Sequence, residues 1–161
     1  MRQIQSPHRR VFILGAAAVA FGSLAPKGSS AAASPNIAIY RNPGCGCCEK
    51  WADHLRAAGY TTQMADHDDL DGLRAKLGVP AGLAGCHTAT VDGYVVEGHV
   101  PAAAIDRLLR ERPKAVGVAV AGMPVGSPGM EGGTAEVYEV ILFGESLQQS
   151  YGRFKGSREI E

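Results

Sequence analysis

The sequence predicts a single α/β domain that follows an export signal and precedes a polar tail. Short β-rich runs alternate with segments whose apolar residues recur at helical spacing, and Gly, Pro and Asn mark the turns between them. About 128 residues follow the signal, enough for one domain with a sizeable core. We expect three parts: a signal peptide at 1–33, the folded domain at 34–145 and a polar, frayed tail at 146–161.

The first half of the predicted domain alternates strands and helices. The predicted elements are strands at 36–41 and 60–65, a helix that begins at the cysteines and stops before Gly59, and a helix at 70–77. The first helix is supported by Trp51, Leu55 and Ala58, which recur at i, i+4 and i+7. Both helices end at a glycine, Gly59 and Gly78, the residue that most readily adopts the backbone conformation beyond a helix end.

The second half of the domain is richer in strands. The predicted elements are strands at 88–91 and 94–97, a helix at 101–110, and strands at 116–120 and 136–143. Asp92 and Gly93 form a two-residue hairpin signal, and Ile105, Leu108 and Leu109 give the helix an apolar face. The order β-α-β-α-β-β-α is that of a thioredoxin-like core, and the last two strands predict a small C-terminal β extension.

The first 33 residues have the layout of a signal peptide, with a basic start, an apolar stretch from Val11 to Leu24 and small residues up to Ala33. The apolar stretch has about fourteen residues, short of the roughly 20 that a membrane-spanning helix needs. Arg9 and Arg10 fit a twin-arginine export signal and fit an ordinary secretory signal equally well. By either route we expect a periplasmic protein with no stable membrane insertion after cleavage.

The charge of the chain excludes two classes of partner. There are 16 basic and 16 acidic side chains, and cleavage after Ala33 removes four basic ones and no acid, which leaves a formal charge of about −4. Nucleic acids and anionic membranes are bound by clustered Lys and Arg. We therefore expect neither of them as a partner.

Three of the four cysteines lie together in the segment CGCC, which opens the first helix. Thiolates are favoured there by unpaired backbone N–H groups and by the positive end of the helix dipole. Cys45 and Cys48 have the spacing of a thioredoxin-type pair and are the candidate catalytic residues for thiol–disulfide exchange. The third thiol, Cys47, favours a soft metal ion such as Cu(I), which prefers sulfur ligands. The structural alternative is a Cys45–Cys48 disulfide with Cys47 buried.

Cys86 is the candidate fourth metal ligand. In a thioredoxin-like chain, the segment that leads into the third strand packs beside the start of the first helix and usually carries a cis-proline. Here that segment reads Cys86-His87-Thr88. The departure argues against ordinary disulfide exchange and favours a metal site built from four sulfurs.

Five further side chains can be added to the metal site, each with a structural alternative. His99 lies in the loop before the last helix, and His87 neighbours Cys86, although adjacent residues on a strand face opposite sides. Met123 and Met130 offer thioether sulfur from a Gly- and Pro-rich loop, or simply pack that loop on the core. His54 lies about 10 Å along the helix from the cysteines, which favours a packing or supporting role.

Three blocks of the sequence carry a resemblance to a known family: CGCCEKWADHLRAAGY, GCHTATVDGYVVEGHVPA and GMPVGSPGMEG. Together they resemble the CopG-like periplasmic copper-resistance proteins, long described as a family of unknown function, over roughly Asn36 to Phe143. The resemblance implies a thioredoxin-like fold that binds a copper–thiolate cluster and interconverts Cu(I) and Cu(II). It also implies that the cysteines of the cluster are Cys45, Cys47, Cys48 and Cys86.

Three functions remain open on the sequence. The first is copper resistance or homeostasis, with copper ions and other periplasmic copper-handling proteins as partners. The second is thiol–disulfide oxidoreductase activity of the CxxC pair on other proteins. The third is a structural zinc domain, in which four cysteines, or three cysteines and a histidine, close a tetrahedral site.

Overall fold

The computed structural model describes residues 34–161, so the predicted signal peptide lies outside the described part of the chain. From residue 34 onward, the secondary structure follows the predicted order as far as the sixth strand. The elements are β1 (Asn36–Arg41), α1 (Gly46–Ala57), β2 (Thr61–Asp66), α2 (Leu70–Leu77), a 3-10 turn (Ala81–Leu83), β3 (His87–Val91), β4 (Tyr94–Glu97), α3 (Ala102–Glu111), β5 (Gly117–Ala119), β6 (Val137–Gly144), β7 (Leu147–Lys155) and β8 (Arg158–Ile160). Of the helices in this described part, none is long and apolar enough to cross a lipid bilayer.

All eight strands form one mixed sheet in the order β2-β1-β3-β4-β5-β6-β7-β8. Strand β1 pairs in parallel with β2 and antiparallel with β3, and β4 pairs antiparallel with β3. This 2-1-3-4 order is that of a thioredoxin-like core, which confirms the predicted fold class. The β extension is larger than predicted, because β5 to β8 continue the same sheet through a parallel β4–β5 pair and supply half of its strands.

The central strands of the sheet bury apolar side chains on both faces. Successive residues of a strand point to opposite faces. Helices α1 and α3 pack on one face, where Trp51 and Leu108 join Val96 of β4 in the main hydrophobic cluster. On the other face, the 3-10 turn after α2 places Leu83 in a second cluster with Val95. Val96 therefore packs with α1 and α3 on one face of β4, and its neighbour Val95 packs with the 3-10 turn on the other face.

Local sequence signals determine the turns around these elements. The β3–β4 hairpin turns at Asp92 and Gly93, whose φ angles of +48° and +88° are those of the predicted two-residue turn. Asp69 caps α2, since its carboxylate accepts the N–H of Gly72 at 2.8 Å. The same helix ends at Gly78, in the left-handed conformation. The predicted hairpin and the predicted end of α2 are confirmed.

The prediction of a frayed tail after residue 145 is wrong. This segment forms β7 and β8, and Tyr151 and Phe154 are buried in the main hydrophobic cluster. In a regular strand, Tyr151 and Phe154 would face opposite sides of the sheet, because they are three residues apart. Both are buried because the register between β6 and β7 shifts after Val140 and leaves Tyr151 as the extra residue of a β-bulge. This bulge breaks the alternation of apolar and polar residues that would have indicated a strand.

Strand pairing brings the two cysteine-bearing segments together. Arg41, at the end of β1, pairs with His87, the first residue of β3. The chain therefore leaves β1 toward Cys45 at the same edge of the core where it enters β3 from Cys86. A cysteine that is distant in sequence reaches the first turn of α1 in this way.

Candidate metal centre

The first turn of α1 holds three of the four cysteines. Cys45 is the N-cap residue, with extended backbone angles (φ −67°, ψ 97°), and Cys47 and Cys48 lie within the first turn. Arg41 orients the turn, because its guanidinium donates to the Cys45 carbonyl at 3.1 Å and pairs with Glu49 at 2.7 Å. The three thiol-bearing residues therefore lie at a helix N-terminus, where the helix dipole favours negative charge.

Cys86 brings the fourth sulfur into contact with the other three. Its Sγ lies 3.1 Å from the Sγ of Cys45, 3.1 Å from that of Cys47 and 3.5 Å from that of Cys48. All four sulfur atoms lie within 4.8 Å of one another. Cys48 is buried and the other three cysteines are half-buried, so the group has a side that faces solvent.

The structure shows this group in an oxidised form. Cys45 and Cys48 form a disulfide, whereas Cys47 and Cys86 are free thiols. Metals bind thiolates, so reduction of the disulfide supplies the two further ligands that a four-sulfur site needs. Four sulfurs held in a tetrahedron at about 2.3 Å from one ion lie about 3.8 Å apart. Once the disulfide is reduced, the contacts of 3.1 to 3.5 Å that Cys86 makes with the other sulfurs need only a small expansion to surround an ion.

The thiol of Cys86 is protonated at neutral pH in this arrangement. Burial raises its pKa to about 12, and the hydrogen bond and the charge of Cys47 act in the same direction, while the positive charge of Arg74 opposes them. A metal ion that binds Cys86 must therefore displace a proton. Metal affinity at this sulfur is expected to rise with pH for that reason.

Two buried histidines lie beside Cys86. The rings of His87 and His99 meet edge to face with centroids 5.1 Å apart, and neither residue is exposed. Trp51 packs against the His87 ring at a centroid distance of 4.2 Å, and its own Nε1–H donates to the Val100 carbonyl at 2.8 Å. A ring nitrogen of each histidine and the sulfur of Cys86 lie within 4.8 Å of one another, which defines a second group of three potential ligands.

Three nitrogens of these histidines lack hydrogen-bond partners within residues 34–161, namely both of His87 and Nε2 of His99. Nδ1 of His99 donates to the Pro128 carbonyl at 2.7 Å, so the lone pair of that ring is on Nε2. Burial lowers the pKa of both rings, and for His87 the charges of His99 and Arg74 lower it further. Both rings are therefore neutral at neutral pH, and each has a lone pair available to a metal ion. Unpaired buried nitrogens are uncommon and call for a ligand.

The structure separates the remaining candidates from these two groups. Cys86 precedes β3, so strand alternation does not turn it away from His87, contrary to the expectation for adjacent strand residues. Nε2 of His54 accepts the Ala102 backbone N–H at 3.1 Å and thereby ties α1 to the start of α3, a supporting role. Met123 is 54% exposed on the Gly- and Pro-rich loop. Met130 is half-buried at the other end of that loop.

The Gly- and Pro-rich loop covers the first turn of α1. A Cβ at Gly129 would lie 2.6 Å from the Cys47 carbonyl oxygen and 2.9 Å from the Trp51 backbone nitrogen. The φ of Gly129, +89°, also disfavours any residue with a side chain. The neighbouring Pro128 carbonyl holds the ring of His99. The loop therefore fixes one potential ligand and shields the helix start.

We expect Gly129→Ala to destabilise the protein by about 1–3 kcal/mol, because its methyl group meets backbone atoms at a position of positive φ. Urea unfolding measures this loss. Gly122→Ala in the same loop is the matched control, since its φ is +66° but nothing lies within 4 Å of its Cβ. An equal loss in both variants would show that the close contact with α1 contributes nothing.

Two charged residues beside the centre, Arg74 and Glu97, were not predicted from the sequence. Glu97 has no exposed surface, and Arg74 of α2 pairs with it at 2.8 Å. A signal was present, because Glu97 ends the short strand YVVE, whose other residues are apolar. A strand buried on both faces leaves such a carboxylate without water, so it requires an internal partner.

Comparison with known proteins places the chain in a family. Residues 83–130 match the family model of DUF411, described as a protein of unknown function. This range contains Cys86, both buried histidines and most of the loop that covers α1, whereas the CxCC motif precedes it. No curated protein sequence matches the chain.

Two solved structures match this chain along almost their whole length. They are Form 2 and Form 1 of copper resistance protein CopG, which are 42% and 43% identical in sequence and superimpose with TM-scores of 0.71 and 0.70. Each match covers 75% of this chain and 98% of the CopG chain in the matched structure. This combination of identity and coverage shows common descent as well as a common fold. The chain belongs to the family of copper resistance protein CopG, as its three sequence blocks predicted.

Proposed function

We propose that this protein is a periplasmic copper-binding protein of copper resistance, which holds Cu(I) in the group of four cysteine sulfurs. The observation that carries the proposal is the convergence of four Sγ atoms within 4.8 Å at a site that is only partly buried. Thiolate sulfur selects soft ions such as Cu(I) over hard cations. The relationship to a copper resistance protein supports copper rather than another soft metal.

The arrangement suits more than one copper ion. Cys86 belongs both to the four-sulfur group and to the group with His87 and His99, so its sulfur can bridge ions held on either side. The two groups together offer six side chains, more than the four ligands of one tetrahedral ion. A multinuclear thiolate cluster that extends toward the histidines follows from this sharing.

The Cys45–Cys48 pair provides a route between Cu(I) and Cu(II). Two Cu(II) ions and two thiolates give two Cu(I) ions and one disulfide, so each sulfur loses one electron and each copper ion gains one. The reverse reaction reduces the disulfide and returns two Cu(II) ions. In the oxidised form, Cys47, Cys86 and the two histidines remain to hold the copper.

Titration of the fully reduced protein without oxygen tests the proposal. Cu(I), added against a competing chelator, is expected to protect all four thiols from alkylation and to show a shell of sulfur neighbours in X-ray absorption. Cu(II) is expected to be recovered as Cu(I), with one thiol lost for each ion reduced. Copper that binds while all four thiols stay free would refute the site.

The periplasmic location is proposed on the signal-peptide pattern of the first 33 residues. Other copper-handling proteins of that compartment are the proposed partners, which would deliver or accept copper at the solvent-facing side of the sulfur group. Cell fractionation is expected to find the shortened chain in the periplasmic fraction. An uncleaved chain in the membrane fraction would contradict this location.

Thiol–disulfide exchange is a second candidate function, favoured by the Cys45–Cys48 disulfide at a helix N-terminus. Two further thiols lie close to Cys45, that of Cys86 at 3.1 Å and that of Cys47 at 3.4 Å. They would intercept a mixed disulfide with a partner protein, which disfavours this function. Reduction of insulin disulfides by the metal-free protein measures the activity directly. A structural zinc site is distinguished by loss of the fold when the metal is removed, because there the energy of metal binding is the energy of folding.

A further inference from the structure

A buried ion pair lies directly beside the loop that carries Cys86. Arg74 of α2 donates from Nε to Oε1 of Glu97, at the end of β4, over 2.8 Å. Glu97 is fully buried, and the side chain of Arg74 is only 12% exposed. A further guanidinium nitrogen of Arg74 pairs at 3.0 Å with Asp71, which lies on the surface. The pair thus connects the outside of α2 to the inner end of a core strand.

This ion pair holds both backbone polar groups of Gly85, the residue before Cys86. Oε1 of Glu97 accepts the Gly85 N–H at 2.7 Å, and Nη2 of Arg74 donates to the Gly85 carbonyl at 3.0 Å. That carbonyl shares a planar peptide unit with the nitrogen of Cys86. On the other side of the cysteine, Oε2 of Glu97 accepts the hydroxyl of Thr88 at 2.6 Å. One ion pair therefore fixes the chain both before and after Cys86.

Close backbone packing removes the remaining freedom of this loop. A Cβ at Gly85 would lie 2.5 Å from the Cα of Gly98 and 3.3 Å from the Val120 carbonyl oxygen. One residue earlier, the Ala84 carbonyl accepts the N–H of Gly122 at 3.2 Å. The loop is held between the ion pair and the backbone that follows β4 and β5, so loss of the ion pair removes one of its two supports.

We propose that Arg74 and Glu97 are positioning residues, which place the thiol of Cys86 against that of Cys47 and so complete the metal centre. Burial of a charged pair is costly, and apolar residues of similar volume often stabilise a fold at least as much as such a pair does. An apolar pair cannot bind the N–H and the carbonyl of one residue together, whereas a carboxylate and the planar fork of arginine can. The placement of the thiol needs no copper, and only its consequence for copper binding rests on the proposed function.

The placement can be measured without metal. In a Cys45→Ser, Cys48→Ser background, the remaining thiols are those of Cys47 and Cys86, with sulfurs 3.1 Å apart. These two thiols and one oxidised glutathione give a protein disulfide and two reduced glutathiones. The equilibrium constant of this exchange reports how well the fold holds the two thiols together.

Arg74→Met combined with Glu97→Gln is the decisive variant in this background. It removes the donor to the Gly85 carbonyl and leaves no single buried charge behind. We expect the equilibrium constant to fall on the order of ten-fold, the factor that corresponds to one lost hydrogen bond from a charged donor. Glu97→Gln alone can keep its bonds to Gly85 and Arg74 through the amide oxygen. Its equilibrium constant should therefore stay close to that of the Cys45→Ser, Cys48→Ser background.

Arg107→Met is the matched control, because Arg107 also bonds to a carboxylate and to a backbone carbonyl, those of Glu111 and Tyr151. An unchanged constant in the folded double variant, or an equal fall in Arg107→Met, would overturn the proposal. Urea unfolding establishes that each variant is folded. If the double variant is unfolded, Arg74→Lys replaces it. A lysine ammonium lacks the planar fork with which arginine donates to Glu97 and to the Gly85 carbonyl together. The same fall is then expected and an unchanged constant again overturns the proposal.

Copper titration of the same substitutions in the four-cysteine protein tests the proposed function separately. A fall in both the thiol constant and the copper affinity supports the positioning role and the four-sulfur site together. A fall in the thiol constant with unchanged copper affinity would uphold the positioning role of Arg74 and Glu97. That second result would also contradict a copper site that depends on Cys86.

Discussion

Replacing Cys86 by serine is expected to weaken Cu(I) binding by more than about 100-fold and to lower the number of copper ions bound. Its sulfur contacts the other three cysteines and also belongs to the histidine group. Loss of a residue that merely supports a ligand already costs about 10- to 100-fold in metal affinity, and here a direct ligand common to both groups is removed. The Cys45–Cys48 disulfide should still form, because Cys86 takes no part in that bond.

Titration against a competing Cu(I) chelator measures the affinity and the stoichiometry of the Cys86→Ser variant. Alkylation followed by mass spectrometry shows whether the disulfide has formed. Met123→Leu is a suitable control, because it removes a sulfur atom that is exposed on the covering loop. Unchanged affinity and stoichiometry in Cys86→Ser would return the protein to the oxidoreductase candidate.

The Cys45→Ser, Cys48→Ser double variant is expected to lose most of its copper affinity and the reduction of Cu(II) by this pair, and yet to remain folded. The disulfide closes a loop of only four residues, which contributes about 2 kcal/mol in the chain-entropy account. A domain of this size is typically stable by about 5–15 kcal/mol. Its main hydrophobic cluster, which includes Trp51 and Leu55, does not use the cysteines.

Urea unfolding of this double variant, followed by circular dichroism, separates a copper site from a structural zinc site. In a structural zinc domain the energy of metal binding is the energy of folding, so loss of the ligands unfolds the chain. A cooperative transition is expected both for the variant and for the unsubstituted protein after treatment with a chelator. Absence of that transition in either case would favour the zinc alternative.

The parts of the fold that the sequence predicted have local causes. The helical spacing of Trp51 and Leu55, the turn at Asp92 and Gly93 and the glycine that ends α2 each act within a few residues. The contact of Cys86 with the CxCC motif was also predicted, because the order of elements determines which strands are neighbours. Strand order therefore brought two distant segments together before any side-chain geometry was known.

The parts that were missed depend on tertiary contacts. The bulge at Tyr151 arises from pairing with β6, so the β7 sequence alone shows no alternation to detect. The pairing of Arg74 with Glu97 joins a helix to a strand across 23 residues. The burial of His87 against Trp51 likewise depends on how α1 packs on the sheet. None of these contacts leaves a periodic pattern in the sequence.

The continuous sheet sets a limit on how far the chain can be shortened. A chain that ends at residue 145 would turn β6 into an exposed edge strand of eight residues. Tyr138 and Val140 of that strand would lose the cover of Tyr151 and Phe154, and a row of unpaired N–H and carbonyl groups would face outward. Such an edge is a template for pairing with a second molecule and for aggregation. The part of the domain that carries the proposed copper site therefore has to be produced together with β7 and β8, although these strands supply none of the six potential ligands.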